Sequence, residues 1–387
     1  MSVLNVEKPA FMAEEDIAIF EDAVGKFFDE HAPEETVAKW RKNHCVDRDM
    51  WTKAGEAGLL GLSTPEAYGG AGGDYRHEVV LMEQLGKKGV DGFGASLHNA
   101  IVMPYIVHYG TEEQKRRWLP RMVSGELVSA IAMTEPGAGS DLQGIKTTAK
   151  KAGNQYVING SKTFITNGQT ANLICVVAKT DPAGGARGTS LIFVETDGAE
   201  GFERGRNLDK LGQEAQDTSE LFFNDVKVPT ENLLGADEGQ GFFQLMSQLP
   251  QERLNIAVQG MATIERALEL TIAYVKDRKA FGKAIIDFQN TQFVLAECKT
   301  EATVAKVFVN HCIGQHLDGK LDAATASMAK YWVSDLENKI VDRCLQLFGG
   351  YGFMNEYPIA RMYKDSRIQR IYGGTNEIMK LLIARTL

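Results

Sequence analysis

The feature that most narrows the fold is a change of periodicity that happens twice along one chain. Up to about residue 125 the apolar positions recur at helical spacing, as in Glu14–His31 and Arg76–Lys88. Glycine clusters at Tyr68–Gly73 and Gly89–Gly94 interrupt them. Near Leu127 the texture switches to short β-type runs: Tyr156–Ile158, Thr163–Thr166, Leu173–Lys179, Ser190–Glu195 and Ser219–Phe223. Turn signals at Asn159-Gly160, Asn167-Gly168, Asp181–Gly188 and Asn224-Asp225 separate them. Runs spaced by about ten residues predict a small antiparallel barrel or sandwich. After Val228-Pro229 the helical spacing returns. Leu254, Val258, Met261, Ile264, Leu268 and Val275 trace one face of a long amphipathic helix, with further helices expected over Asp287–Leu317, Ala323–Phe348 and Asn376–Arg385. The expected class is mostly α with a central β domain, divided as 1–126, 127–235 and 236–387. A length of 387 residues exceeds what one core usually holds.

Several chemistries are disfavoured at once. A net charge of -9 argues against a nucleic-acid partner, which calls for a basic surface. No run of 18 apolar residues predicts a transmembrane segment. The first 30 residues hold eight Asp and Glu against two Lys, so neither a signal nor a transit peptide is expected, and the cytoplasm is the expected compartment. Cys45, Cys175, Cys298, Cys312 and Cys344 are scattered, which suits buried thiols better than disulfides or zinc. His311 and His316 are five apart and splay on a helix, so no metal is expected. The phosphate loop, the strand-to-helix GxGxxG and the GxSxG elbow are all missing.

Three patches remain, dense in glycine and polar groups. They are Met133–Asp141, Arg278–Lys283, and Gln346–Gly352 together with Ile371–Glu377. One at a time, Gly137–Gly139 fits an ordinary turn, Gly282 a helix C-cap, and Gly349-Gly350 a loop between helices. Together, in this order on a helical–β–helical chain, they resemble the acyl-CoA dehydrogenases. The resemblance runs from about Glu14 to Leu387 and is nearest the long-chain type through Leu249-Pro250-Gln251-Glu252-Arg253-Leu254 and Ile371–Lys380.

The resemblance implies an N-terminal helical domain, a middle antiparallel β-barrel or sandwich, and a C-terminal four-helix bundle. It also implies FAD and a reaction that takes a proton from the carbon α to a thioester and a hydride from the β carbon. Backbone groups at Met133 and Thr134 are expected at the flavin, with Gly139 allowing close approach and Ser140 reaching the ribityl chain or a phosphate. Phe164, Ile165 and Thr166 are expected at the ring, with Thr166 donating toward N5. Arg278, Phe281 and Gln289 are expected at the pyrophosphate of a neighbouring subunit. Gln346, Leu347, Phe348, Gly349 and Gly350 are expected at the adenosine half, and Thr375, Asn376 and Glu377 at a helix N-terminus that favours the pyrophosphate.

Many relatives carry the base at the position of Gly373, where this chain has no side chain. A minority place it on the long helix, where the matching residue is Glu252. Its bland reading is a first-turn acid favoured by the helix dipole. The Gly373 N–H remains as an expected donor to the thioester carbonyl. Ser96, Ala100, Ser140, Phe243, Arg253 and Gly374 are expected beside the acyl-CoA substrate. Small Ser96 and Ala100 suggest room for long or branched chains, with Gly94 and Ala95 allowing close helix approach. An electron-transferring flavoprotein is the expected acceptor and a homotetramer the expected assembly. One alternative is an acyl-CoA oxidase, commonly longer by a C-terminal domain where this chain ends at Leu387. Another is a flavin-free acyl-CoA binding or scaffold protein, against which Thr166, Arg278 and Glu252 stand.

Overall fold

The structure, a computed structural model, describes residues 3–90 and 92–387. The first part is helical: α1 (Glu15–His31), α2 (Glu34–Asn43), α3 (Arg48–Glu56), α4 (Tyr75–Lys88), a short α5 (Ala95–Leu97), a π turn (His98–Val102), α6 (Met103–Tyr109) and α7 (Glu112–Val123). Local chemistry sets the starts. Asp74 and His77 close a capping box on α4, and Thr111 and Gln114 close one on α7.

Seven strands follow: β1 (Ser129–Ala132), β2 (Thr148–Ala152), β3 (Gln155–Thr166), β4 (Leu173–Lys179), β5 (Thr189–Glu195), β6 (Phe202–Asn207) and β7 (Thr218–Pro229). They form one sheet in the order β1-β4-β2-β3-β7-β6, with β5 on β4. Most pairs are antiparallel as expected, but both β1 and β2 run parallel to β4. Asn159-Gly160 and Asn224-Asp225 are not turns. They sit inside two twelve-residue strands, β3 and β7, where Asn159 and Asp225 exchange a pair of 2.9 Å hydrogen bonds across a bulge. β4 is buried on both faces. Leu173, Cys175 and Val177 pack with Tyr105 and Trp118 of α6 and α7, while Ile174, Val176 and Ala178 pack with Tyr156, Leu221 and Phe223.

The C-terminal part contains α8 (Gly241–Asp277), a two-residue hairpin β8 and β9 (Lys279–Ala280, Lys283–Ala284), α9 (Gln289–Leu317), α10 (Ala323–Leu347), α11 (Pro358–Ser366) and α12 (Asn376–Ala384). α8 is longer at its start than the apolar stripe alone showed, and Pro250 lies inside it. Gly282 is the second residue of the hairpin turn, at φ +80 after Phe281 at φ +50, not a helix cap. Val79, Met82 and Leu85 of α4 join Leu254, Val258 and Met261 of α8 in one core, so the two helical parts are packed together. No helix among the described residues is long and apolar enough to cross a membrane.

Candidate active site

Where α4, α5, α8, α12 and the sheet converge they leave a cavity of about 440 Å³. One wall comes from the sheet. Between Lys162 and Ile165, β3 carries one residue more than its partner β7, and the bulge forces Phe164 to φ +59. Strict alternation is broken there, so Phe164, Ile165 and Thr166 all face the cavity. Phe164 is 67% exposed, an aromatic face left uncovered. Met133, Thr134, Gly139 and Ser140 complete this wall. Lys162, fully buried, braces it. Its Nζ donates to the Met133 carbonyl at 2.9 Å and to Glu135 at 3.0 Å, while Glu135 also accepts from the Lys146 and Thr147 N–H groups. Burial pulls the Lys162 ammonium down to about 8 against the Glu135 attraction.

Glu252 supplies the opposite wall. It stands three turns inside α8, so the helix-dipole reading of a first-turn acid does not hold. The carboxyl is buried, lines the cavity, and accepts a hydrogen bond from the Tyr105 hydroxyl at 2.7 Å. Burial pushes its pKa up to about 7, against the opposing pull of Tyr105 and Arg253. Arg253 lines the same cavity and its guanidinium donates to Ser327 at 3.4 Å.

Gly373 and Gly374 form the third side, at φ +64 and +92. A Cβ on Gly373 would overlap the Ile256 Cδ1 of α8, so the bare backbone is what lets the loop meet that helix. The Gly373 N–H makes no hydrogen bond among the described residues. Buried Lys330 anchors the loop from behind, donating to the Gly374 carbonyl at 2.8 Å and to Asn376 Oδ1 at 2.9 Å.

The expected residues thus fall into groups. Glu252, Arg253, Gly373, Gly374, Ser96, Met133, Thr134, Gly139, Ser140, Phe164, Ile165 and Thr166 share the cavity. Phe243 does not; it faces a separate groove with His108 and Tyr109, and Phe242 takes the wall position. Ala100 is also outside. It sits in the π turn with its carbonyl accepting from Gln251 and Asn255, and Ile101 lines the cavity instead. Gly94 meets Asn167 beside the sheet rather than another helix. Asn376 points into the bundle, bonded to Lys330, Ser334 and Asp335, so its side chain is not free for a cofactor. Thr375 caps α12 and Glu377 is exposed on its first turn.

Arg278, Phe281, Gln289, Gln346, Leu347, Phe348, Gly349 and Gly350 lie outside the cavity wall. The Arg278 guanidinium lies 5.6 Å over the Tyr351 ring, and Phe348 stacks on Tyr274. Phe281 is 96% exposed.

Sequence reasoning missed Tyr105, Lys162 and Phe242. Tyr105 meets Glu252 across 147 residues, with no local pattern to reveal it. Phe242 had a signal: with α8 starting at Gly241, its helical phase falls with Met246, Leu249 and Arg253, whereas Phe243 does not.

The sheet wall suits a flat heteroaromatic group with polar edges. The side-chain hydroxyls of Thr134, Ser140 and Thr166 make no hydrogen bond among the described residues, and a Cβ on Gly139 would meet open space. Comparison with known proteins agrees. Models of the acyl-CoA dehydrogenase N-terminal, middle and C-terminal domains match residues 14–126, 130–226 and 239–387. The mitochondrial long-chain specific acyl-CoA dehydrogenase of Mus musculus is 50% identical over 380 residues, 97% of this chain and 87% of that one. The crystal structure of an acyl-CoA dehydrogenase from Geobacillus kaustophilus, 49% identical, superposes with a TM-score of 0.95 over 98% of this chain and 99% of that one. A glutaryl-CoA dehydrogenase from Mycobacterium smegmatis in complex with FADH2, 28% identical, superposes with a TM-score of 0.90 over 97% of this chain and 95% of that one. The chain belongs to the acyl-CoA dehydrogenases, FAD-dependent oxidoreductases of acyl-CoA metabolism.

Proposed function

We propose that this chain converts long-chain or branched acyl-CoA thioesters to trans-2-enoyl-CoA in fatty-acid β-oxidation or a related acyl-CoA pathway, with Glu252 as the base. The observation that carries the reading is one cavity that sets a buried carboxyl, raised to about 7, against the unspent Gly373 N–H. A base with a pKa near the working pH combines a usable ionised fraction with real proton affinity. Gly373 would donate to the thioester carbonyl, and this bond strengthens as negative charge collects on that oxygen. FAD, when bound, supplies the acceptor for the β hydride. Thr134, Ser140 and Thr166 would hold its polar edges and Phe164 its apolar face. The apolar side chains of Leu249, Ile256 and Leu97 in the wall would keep water from the reacting carbons.

Chain length follows the helix. Leu249, Glu252, Ile256, Gln259 and Thr263 line the cavity at spacings of three and four, so it runs along one face of α8. Thr263 is eleven residues past Glu252, about 16 Å on, enough for roughly a dozen methylenes. Each buried methylene contributes up to about 0.8 kcal/mol. Turnover across acyl-CoA thioesters tests this. A kcat/KM optimum at about C10 or longer, or at branched chains, is expected from this depth. An optimum at butyryl-CoA with palmitoyl-CoA and branched thioesters inert would overturn it. The reading includes an electron-transferring flavoprotein as acceptor and a homotetramer in which Arg278 and Gln346–Gly350 meet a neighbour's FAD.

A further inference from the structure

We propose that Tyr105 is the positioning residue for the base: its hydroxyl, donated to Glu252 Oε1, fixes the carboxylate and favours its ionised form. The inference rests on Glu252 as the base. The bond is short, 2.7 Å, and both groups are buried. Tyr105 is fully buried in an apolar cluster that includes Val102, Ile106, Trp118 and Cys175, and close packing there restricts its ring. Oε2 makes no hydrogen bond among the described residues and is the oxygen left to receive a proton.

The charged and titratable groups facing Glu252 are few. Tyr105 and, behind it, Tyr109 come from α6, Cys175 from β4, and Arg253 from α8 itself, with Lys330 of α10 on the Arg253 side. Of these, Tyr105 alone bonds the carboxyl. Tyr109 instead accepts from Gln248 at 3.1 Å, its ring 6.3 Å from that of Tyr105. Burial first, and the neighbouring carboxylate next, hold the Tyr105 phenol well above its usual pKa, so it remains a donor wherever the enzyme works. Burial alone would leave Glu252 protonated at neutral pH. The phenol counters this by stabilising the charge, and that stabilisation falls away once Oε2 takes the substrate proton. The Tyr105 hydrogen bond therefore lowers the basicity of Glu252 in order to keep it ionised.

Stopped-flow flavin reduction of the FAD-loaded enzyme, followed against pH, tests the proposal. In Tyr105→Phe the acid limb should move up by about one to two pH units, the worth of a hydrogen bond to a charged group. At alkaline pH the rate should return to within a few-fold of the native one, with KM little changed. Tyr109→Phe should leave the limb in place. An unmoved limb in Tyr105→Phe overturns the proposal, whether the rate is unchanged or lowered evenly across pH. Glu252→Gln in the same series keeps the two readings apart: if it reduces flavin normally the base assignment fails, whatever Tyr105→Phe does.

Discussion

Glu252 shows at the scale of one residue that the site is built against stability. Its folded pKa, about 7, lies above the ordinary 4.5, so the folded state holds the proton more tightly. Its contribution is favourable below about 4.5 and is lost as pH rises to about 7, where burying the charge costs up to about 3 kcal/mol. His98, lowered to about 4 by burial, acts in the opposite sense: its contribution is present above about 6.5 and lost on acidification. Glu252→Gln should therefore raise Tm at pH 8, with the gain shrinking toward pH 4.5. Thermal unfolding at several pH values checks this, and a variant less stable at pH 8 would contradict it. Gly373 is constrained from the other side. With φ +64 and Ile256 against it, Gly373→Ala should lose about 1–2 kcal/mol and slow flavin reduction. The same constraint weighs against restoring a carboxylate there: Gly373→Glu combined with Glu252→Thr would need Ile256 to yield.

At the scale of elements, what the sequence disclosed depended on whether a residue's partner was near in the chain. Leu173–Lys179 was legible as a strand because all seven residues are apolar or at the edge of an apolar run, and α9, α10 and α12 were placed within two residues. The Asn159-Gly160 signal misled because its partner, Asp225, is a cross-strand neighbour 66 residues away. β2 and β6, rich in Lys, Glu and Arg, carry too little apolar alternation to be seen. Glu252 and Gly373 were legible only through family resemblance, and the Tyr105 contact was not legible at all. The Lys162–Glu135 pair makes an element-scale test. It ties the bulged end of β3 to the Met133–Glu135 segment that follows β1. Lys162→Met would leave Glu135 buried without its cation, which should cost about 3–5 kcal/mol and speed flavin loss. Unchanged denaturation and flavin retention would show that the pair does not brace this wall.

Over the whole molecule, the uncovered apolar surface points to assembly. Phe281 and Phe353 are 96% and 84% exposed, three residues from Arg278 and two from Tyr351, which touch each other, and uncovered aromatics of this kind mark an interface. We propose that it closes against a second copy within a homotetramer. Light scattering should give four chains per particle, and Phe281→Asp should lower both the mass and the bound flavin; a flavin-saturated native monomer would contradict this. Three distant parts of the chain make one cavity, and in it Glu252 is proposed to take the α proton. Anaerobic mixing of the Glu252→Gln holoenzyme with a long-chain acyl-CoA tests it most directly. The variant is expected to bind the thioester and keep its FAD while flavin bleaching slows by at least about 10²–10⁴-fold. Bleaching at a near-native rate would show that another group removes the proton.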